Sequence, residues 1–140
     1  MIEIIIPGQP YPLKRPRYSK RSQRVFDPED NRAAKATVAA IAREAWGDRP
    51  VIVGAIKVQI SFNYAWPKST TKKRKDKPNG FYKITAGDID NCVKWVFDGI
   101  NNAGTVWKDD AQVAELWAIK RHTDIEPMTR VTIEALWEQE

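Results

Sequence analysis

The sequence predicts an α/β domain of the α+β-like kind, a mixed sheet of about four strands packed with two main helices. Three observations predict it. Ile56, Val58, Ile60 and Phe62 alternate with Lys57, Gln59 and Ser61, the period-two pattern of a half-buried strand. Val93, Val96, Phe97 and Ile100 fall on one stripe of a helix over 88–103. Short apolar runs at 2–6, 112–121 and 129–137 read as further strands.

The first strand, 2–6, is closed by Pro7-Gly8. Asp27-Pro28 reads as a helix start, with Asp27 as N-cap and Pro28 at the first position. Ala34, Val38, Ile41 and Ala45 then repeat at helical spacing until Gly47. The second helix stops at Gly104. A chain of 140 residues with no internal repeat and no low-complexity linker reads as a single domain, 1–140. Its 42% hydrophobic content is enough for a packed core. Cys92 stands alone, so no internal disulfide forms, which fits a reducing cytosol. No apolar run reaches 18 residues, and the N-terminus lacks the basic region of a signal peptide. A cytoplasmic protein away from membranes is expected.

The net charge of +5 is unevenly spread. Lys14, Arg15, Arg17, Lys20, Arg21 and Arg24 form one acid-free run, and Lys68, Lys72, Lys73, Arg74, Lys75 and Lys77 form a second. Both contain turn formers and read as mobile loops, either solvated surface or seats for a polyanion. Tyr11, Tyr18 and Phe26 lie near the first run; Tyr64, Trp66, Phe81 and Tyr82 lie near the second. These could stack on unpaired bases. Trp46, Trp95, Trp107, Trp117 and Trp137 read as core, and His122 as a surface residue.

Against this basic background stand two acidic clusters, Asp88-Ile89-Asp90-Asn91 and Asp109-Asp110-Ala111-Gln112-Val113. Two carboxylates about 4 Å apart repel by roughly 4 kcal/mol at an effective dielectric of about 20, enough to protonate one unless a cation intervenes. Mg²⁺ is held by a few carboxylate oxygens together with water and phosphate. The residues therefore point to metal-dependent phosphodiester chemistry on nucleic acid. Asp90, Lys94, Asp98 and Asn101 share a flank beside the apolar stripe, and Asp88 sits where the helix dipole favours an anion. The plainer alternative makes Asp88 an N-cap and Asp90–Lys94–Asp98 an exposed ion-pair ladder. It leaves Asp109 and Asp110 unexplained.

The pattern D-x-D-N-x-x-K-x-x-x-D from Asp88, a glycine near the helix end, then D-D-A-Q-V resembles the RusA family of Holliday junction resolvases. The sharp part of the resemblance spans 87–113, and element order agrees over nearly the whole chain. The resemblance implies a homodimeric endodeoxyribonuclease of recombination and repair that cuts four-way DNA junctions by paired nicks with Mg²⁺ or Mn²⁺. It implies metal-binding acids at Asp88, Asp90 and Asp110, an essential Lys94, and a further family acid at Asp109. DNA binding would fall to Lys14, Arg15, Arg17, Lys20, Arg21, Lys72, Lys73, Arg74 and Lys75. The loop R-P-R-Y-S-K is similar to that of a phage and prophage branch, which leaves the sequence preference open. The loop from Trp66 to Gly80 is longer than the family suggests. Lys94 is expected as a fixed positive charge, with Asp98 pairing with it. No small-molecule cofactor is expected. Two other readings stay open: a nuclease of forks or flaps, and a non-catalytic junction-binding module.

Overall fold

The computed structural model describes residues 1–77 and 80–136. In chain order its elements are β1 (Ile2–Pro7), β2 (Arg17–Ser19), β3 (Arg24–Phe26), α1 (Glu29–Trp46), β4 (Ile56–Ala65), α2 (Lys72–Lys75), β5 (Phe81–Tyr82), α3 (Ile89–Ala103), β6 (Val113–Thr123) and β7 (Met128–Ala135). A 3₁₀ turn at Asp110–Gln112 leads into β6. The strands form a five-stranded sheet ordered β1-β7-β4-β6-β5, and β2 with β3 forms a separate hairpin. The α/β class and both main helices agree with the sequence, and the main sheet has five strands where about four were expected. The first basic run is not wholly a loop, since Arg17–Ser19 and Arg24–Phe26 pair as the hairpin. The second contains one helical turn, capped by Thr71, whose side chain accepts from the Arg74 amide. Pro78, the end of the last expected strand at 137 and the core placement of Trp137 lie outside the described residues.

β4 is the centre of the sheet, antiparallel to β7 and parallel to β6. Ile56, Val58, Ile60 and Phe62 are all buried, so the predicted alternation becomes the face beneath the helices. A parallel pair needs a crossover connection, and α3 supplies it. Helices α1 and α3 pack where Gly99 meets Val38. Arg43 of α1 closes the far end of α3, donating from Nε to the Ala103 carbonyl at 3.1 Å and from Nη2 to the Asn102 carbonyl at 3.0 Å. Gly104, at φ 70°, ends the helix in the left-handed region. At the start of α1 the sequence expectation shifts by one residue. Pro28 is the N-cap, and Asp27 binds Asn31 and Lys35 instead.

Of the tryptophans expected in the core, Trp46, Trp95 and Trp107 are buried, but Trp117 is 54% exposed. Trp117 and its neighbour Leu116 lie where, among the described residues, β6 has a strand on one side only. His122, expected at the surface, is buried because β5 folds over the end of β6. Its Nδ1 lies 2.9 Å from the Ala65 carbonyl, and its ring packs against Phe81 and Tyr64.

An added Cβ at Gly99 would stand 2.4 Å from Val38 Cβ, with the Lys35 carbonyl 3.1 Å away. Gly99→Ala should therefore cost about 1–3 kcal/mol by forcing the helices apart. Urea denaturation with an unchanged m-value and a lowered midpoint would bear this out.

Candidate nucleic-acid and metal site

The entry into α3 is a built turn. Gly87 has φ 105°, and a Cβ there would meet the Tyr64 hydroxyl at 3.0 Å. Lys120, reaching up from β6, donates from Nζ to the Gly87 carbonyl at 2.9 Å and the Thr85 carbonyl at 3.1 Å. Lys83 donates to Thr85 Oγ1 at 2.6 Å and lies over the Tyr64 ring. Burial and the Lys120 charge push the Lys83 ammonium below its ordinary pKa. Beneath the turn, burial raises the Cys92 thiol; Tyr64 and Lys120 oppose the shift, and the charges of Asp88 and Asp90 add to it. The charges of Lys120, Asp88 and Asp90 are thus all felt at one buried thiol.

Asp88 is the N-cap of α3, yet its side chain makes no capping hydrogen bond. Its carboxylate and that of Asp90 are exposed at the positive end of the helix. The ion-pair ladder is not formed, because no acid lies within 4.0 Å of Lys94 among the described residues. The expected Lys94–Asp98 pair is corrected: Asp98 faces Lys35 of α1 at 3.6 Å. Helix α1 lies alongside α3 and brings a cation to Asp98 that local sequence does not reveal. Lys94 instead lines a groove of about 350 Å³ with Lys14, Arg15, Lys35, Asn91 and Asp98.

That groove is held open by Asn31, which sequence reasoning missed. Asn31 is buried, and all its polar capacity is engaged. Its Oδ1 accepts from the Tyr11 hydroxyl at 2.9 Å and from the Lys14 amide at 2.9 Å. Its Nδ2 donates to the Lys14 carbonyl at 2.8 Å and to Asp27 at 2.8 Å. The Leu13 amide meanwhile donates to the Asn91 carbonyl at 3.3 Å. The start of the basic run is therefore docked on both helices. Tyr11 belongs to this framework and packs on Trp95, so it is not free to stack on bases. Tyr18 and Tyr82 are exposed, at 60% and 71%. In the second basic cluster Arg74 covers the Phe81 ring and Lys75 covers Trp66. Arg15, Arg17, Lys20, Arg21, Lys72 and Lys73 are exposed, and Lys14, also exposed, pairs with Asp30 at 2.7 Å.

Asp109 and Asp110 belong to a different end of the molecule. Gln112 fixes their turn: its Oε1 accepts from the Lys108 and Asp109 amides, and its Nε2 donates to the Ile52 and Gly54 carbonyls. Asp109 is exposed. Asp110 Oδ2 accepts from Asn101 Nδ2 at 3.0 Å, and Asn101 Oδ1 accepts from the Trp107 indole at 2.6 Å. The structure therefore places Asp88 and Asp90 together and Asp110 at the opposite end of α3. Carboxylates suit a hard divalent cation by kind. Yet among the described residues no three His, Cys, Asp or Glu side chains group closely enough to hold one. The full donor set does not fit an ion within one chain.

The groove lined with lysine and arginine suits a polyanion, and the exposed acids at the helix start beside it would repel one unless a cation intervenes. Comparison with known families is more specific. Residues 7–134 match the model of the family endodeoxyribonuclease RusA, and the chain belongs to that family. The uncharacterized protein YqaN of Bacillus subtilis (strain 168) is 34% identical over 140 residues, spanning 94% of each chain. No helix among the described residues is long and apolar enough to cross a membrane.

Two predictions follow from the Asn31 network. Asn31→Ala strands the Lys14 backbone groups and should cost about 2–3 kcal/mol, with faster proteolysis at residues 14–17. The second concerns pH. The Lys35 hydrogen bond, opposed by burial and aided by Asn31, holds the Asp27 carboxyl below its ordinary value of 3.8. Its stabilisation is present above that pH and lost as pH falls through the folded value. On Lys35, burial is outweighed by Asp27 and Asp98, so its share disappears only above 10.5. Melting curves of wild type and Asp27→Ala should differ at neutral pH and converge in acid below about 3.8.

Proposed function

We propose that this chain is a Mg²⁺- or Mn²⁺-dependent endodeoxyribonuclease that resolves four-way DNA junctions as a homodimer, with Asp88, Asp90, Asp110 and Lys94 at the reaction centre. Asp109 is a further acid of the metal site. The observation that carries the proposal is the start of α3. There Asp88 and Asp90 stand exposed, without a side-chain capping bond from Asp88, next to Lys94, which is unpaired among the described residues, in the basic groove. Membership of the family supplies the substrate class.

Each part of this chain then has a task. Lys94 is a fixed positive charge facing the phosphate, placed to stabilise charge that grows on it during hydrolysis. Arg15, Arg17, Lys20 and Arg21 contact the backbone, as do Lys72 and Lys73 from the second cluster. Lys14 takes part at the cost of its Asp30 pair, while Arg74 and Lys75 reach DNA from aromatic platforms. Tyr18, Phe26 and Tyr82 are exposed aromatic rings placed to meet unpaired bases. Lys120 acts through the Gly87 turn and positions Asp88. Binding through so many phosphate contacts makes affinity fall steeply with salt.

Asp90→Asn should lower junction cutting by more than about 100-fold, beyond the 10–100-fold cost of losing a group behind a metal ligand. Junction binding should remain close to wild type. The assay compares a mobile four-way junction, linear duplex, a fork and a flap, with Mg²⁺ or EDTA. Paired nicks in the junction alone, abolished by EDTA, bear out the proposal. Cutting confined to forks or flaps gives the related nuclease, and binding without cutting in any divalent ion gives a junction-binding module.

A further inference from the structure

Arg121 follows Lys120 in β6, and successive side chains of a strand point to opposite faces of the sheet. Lys120 reaches the Gly87 carbonyl on the helix face, so Arg121 stands on the other face. The register sets four strands abreast there: Met128 of β7, Asn63 of β4, Arg121 of β6 and Tyr82 of β5. Ser61 and Arg130, paired with each other, form the next row on that face. A hollow of about 250 Å³ opens among them, lined in part by Ser61, Asn63, Arg121, Arg130 and Asp124. A second, of about 260 Å³, continues past Arg121 to Tyr82 and Lys77.

The charges of these hollows are not balanced. Arg121 is half-buried, yet among the described residues no carboxylate lies within 4.0 Å of it and its guanidinium makes no hydrogen bond. A guanidinium carries five N–H donors, so a half-buried one without partners is open to ligand oxygens. Arg130 faces Glu3 at 3.8 Å, too long for a hydrogen bond, and both side chains are about half exposed. Against Arg121, Arg130 and Lys77 the lining sets the single acid Asp124. The planar fork of arginine matches phosphate oxygens. Beside Arg121 stands the open ring of Tyr82. A basic groove next to an exposed aromatic ring is the arrangement that holds single-stranded nucleic acid, with the backbone in the groove and a base on the ring.

We propose that one unpaired strand of the DNA substrate runs across this face, with phosphates on Arg121 and Arg130 and a base on Tyr82. Two strand spacings and two residues separate the arginines, so their Cα atoms stand about 12 Å apart, far enough for each to take its own phosphate. The seat and the start of α3 share the corner of the sheet where β4 and β6 end, on opposite faces. Strand β5, two residues long, is the edge between them. A strand parted from its complement at the reaction centre has only that short edge to cross. The inference rests on the nuclease reading for its substrate, while its binding test requires no cutting.

The test measures binding of a fluorescent thymidine oligonucleotide to the full chain in EDTA over a salt series. Changing Arg121→Gln and Arg130→Gln together should weaken binding about tenfold or more. It should also flatten the slope of log affinity against log salt by about 1.4, since each single-strand phosphate contact contributes about 0.7. Tyr82→Ala should weaken binding about fivefold or more with the slope unchanged, because stacking releases no counterion. Arg121→Lys keeps the charge and should keep the wild-type slope. Arg130→Gln alone, at an exposed position, should flatten the slope by about 0.7 and serves should the double variant fail to fold. Affinity and slope unchanged in the folded arginine variants overturn the proposal, as does a wild type that binds no oligonucleotide. If the slopes shift as expected while the wild type leaves four-way junctions uncut with Mg²⁺, the nuclease reading falls and the seat stands. If the wild type cuts junctions and the slopes do not move, the seat falls and the nuclease reading stands.

Discussion

The parallel pairing of β4 with β6 is the constraint on which the rest of the molecule depends. Parallel neighbours cannot be joined by a tight turn, so the chain must cross over, and α3 is the helix that makes the crossing. Such a helix runs against the strands it connects. Its start therefore lies at the carboxyl ends of β4 and β6, the edge where open α/β sheets place their ligands. Its end lies at the opposite edge, beside the turn that feeds β6. Asp88 and Asp90 fall at one edge and Asp109 and Asp110 at the other as a direct consequence.

Around this frame the polar interactions have distinct tasks. Lys120 and Gly87 shape the entry to α3, so Asp88 occupies the N-cap position without spending its carboxylate there. Asn31 satisfies both backbone groups of Lys14 and ties the basic run to α1, while the Leu13 amide ties it to α3. A buried amide with every partner made is stiff, because losing any one partner leaves an unsatisfied group. The first cations of that run, Lys14 and Arg15, are thus carried on a fixed ledge beside Lys94, and those of the β2–β3 hairpin stand further out in solvent.

How much of this was legible in the sequence depended on the range of each interaction. The α3 helix could be read because its apolar stripe, its glycine end and its acids are all local patterns. The alternation of β4 was equally plain. The hairpin in the first basic run was hidden, since three-residue strands with charged side chains give no periodicity. Asn31, Lys120 and His122 were hidden for another reason: their partners are 17, 33 and 57 residues away in sequence. Helical spacing alone gives Asp98 to Lys94, whereas the α1–α3 packing gives it Lys35. Residue type alone puts Trp117 in the core, and only sheet order reveals that β6 is largely an edge among the described residues. The D-D-A-Q-V motif was legible as chemistry, but Gln112 turned out to be the clamp of that turn.

Anomalous diffraction from crystals grown with Mn²⁺ and a four-way junction would test the central claim most directly, that the start of α3 is the reaction centre. The expected result is a Mn²⁺ peak bonded to Asp88 and Asp90 with a junction phosphate against Lys94. A peak held by Asp109 and Asp110 alone, with DNA lying away from the α3 entry, would contradict it.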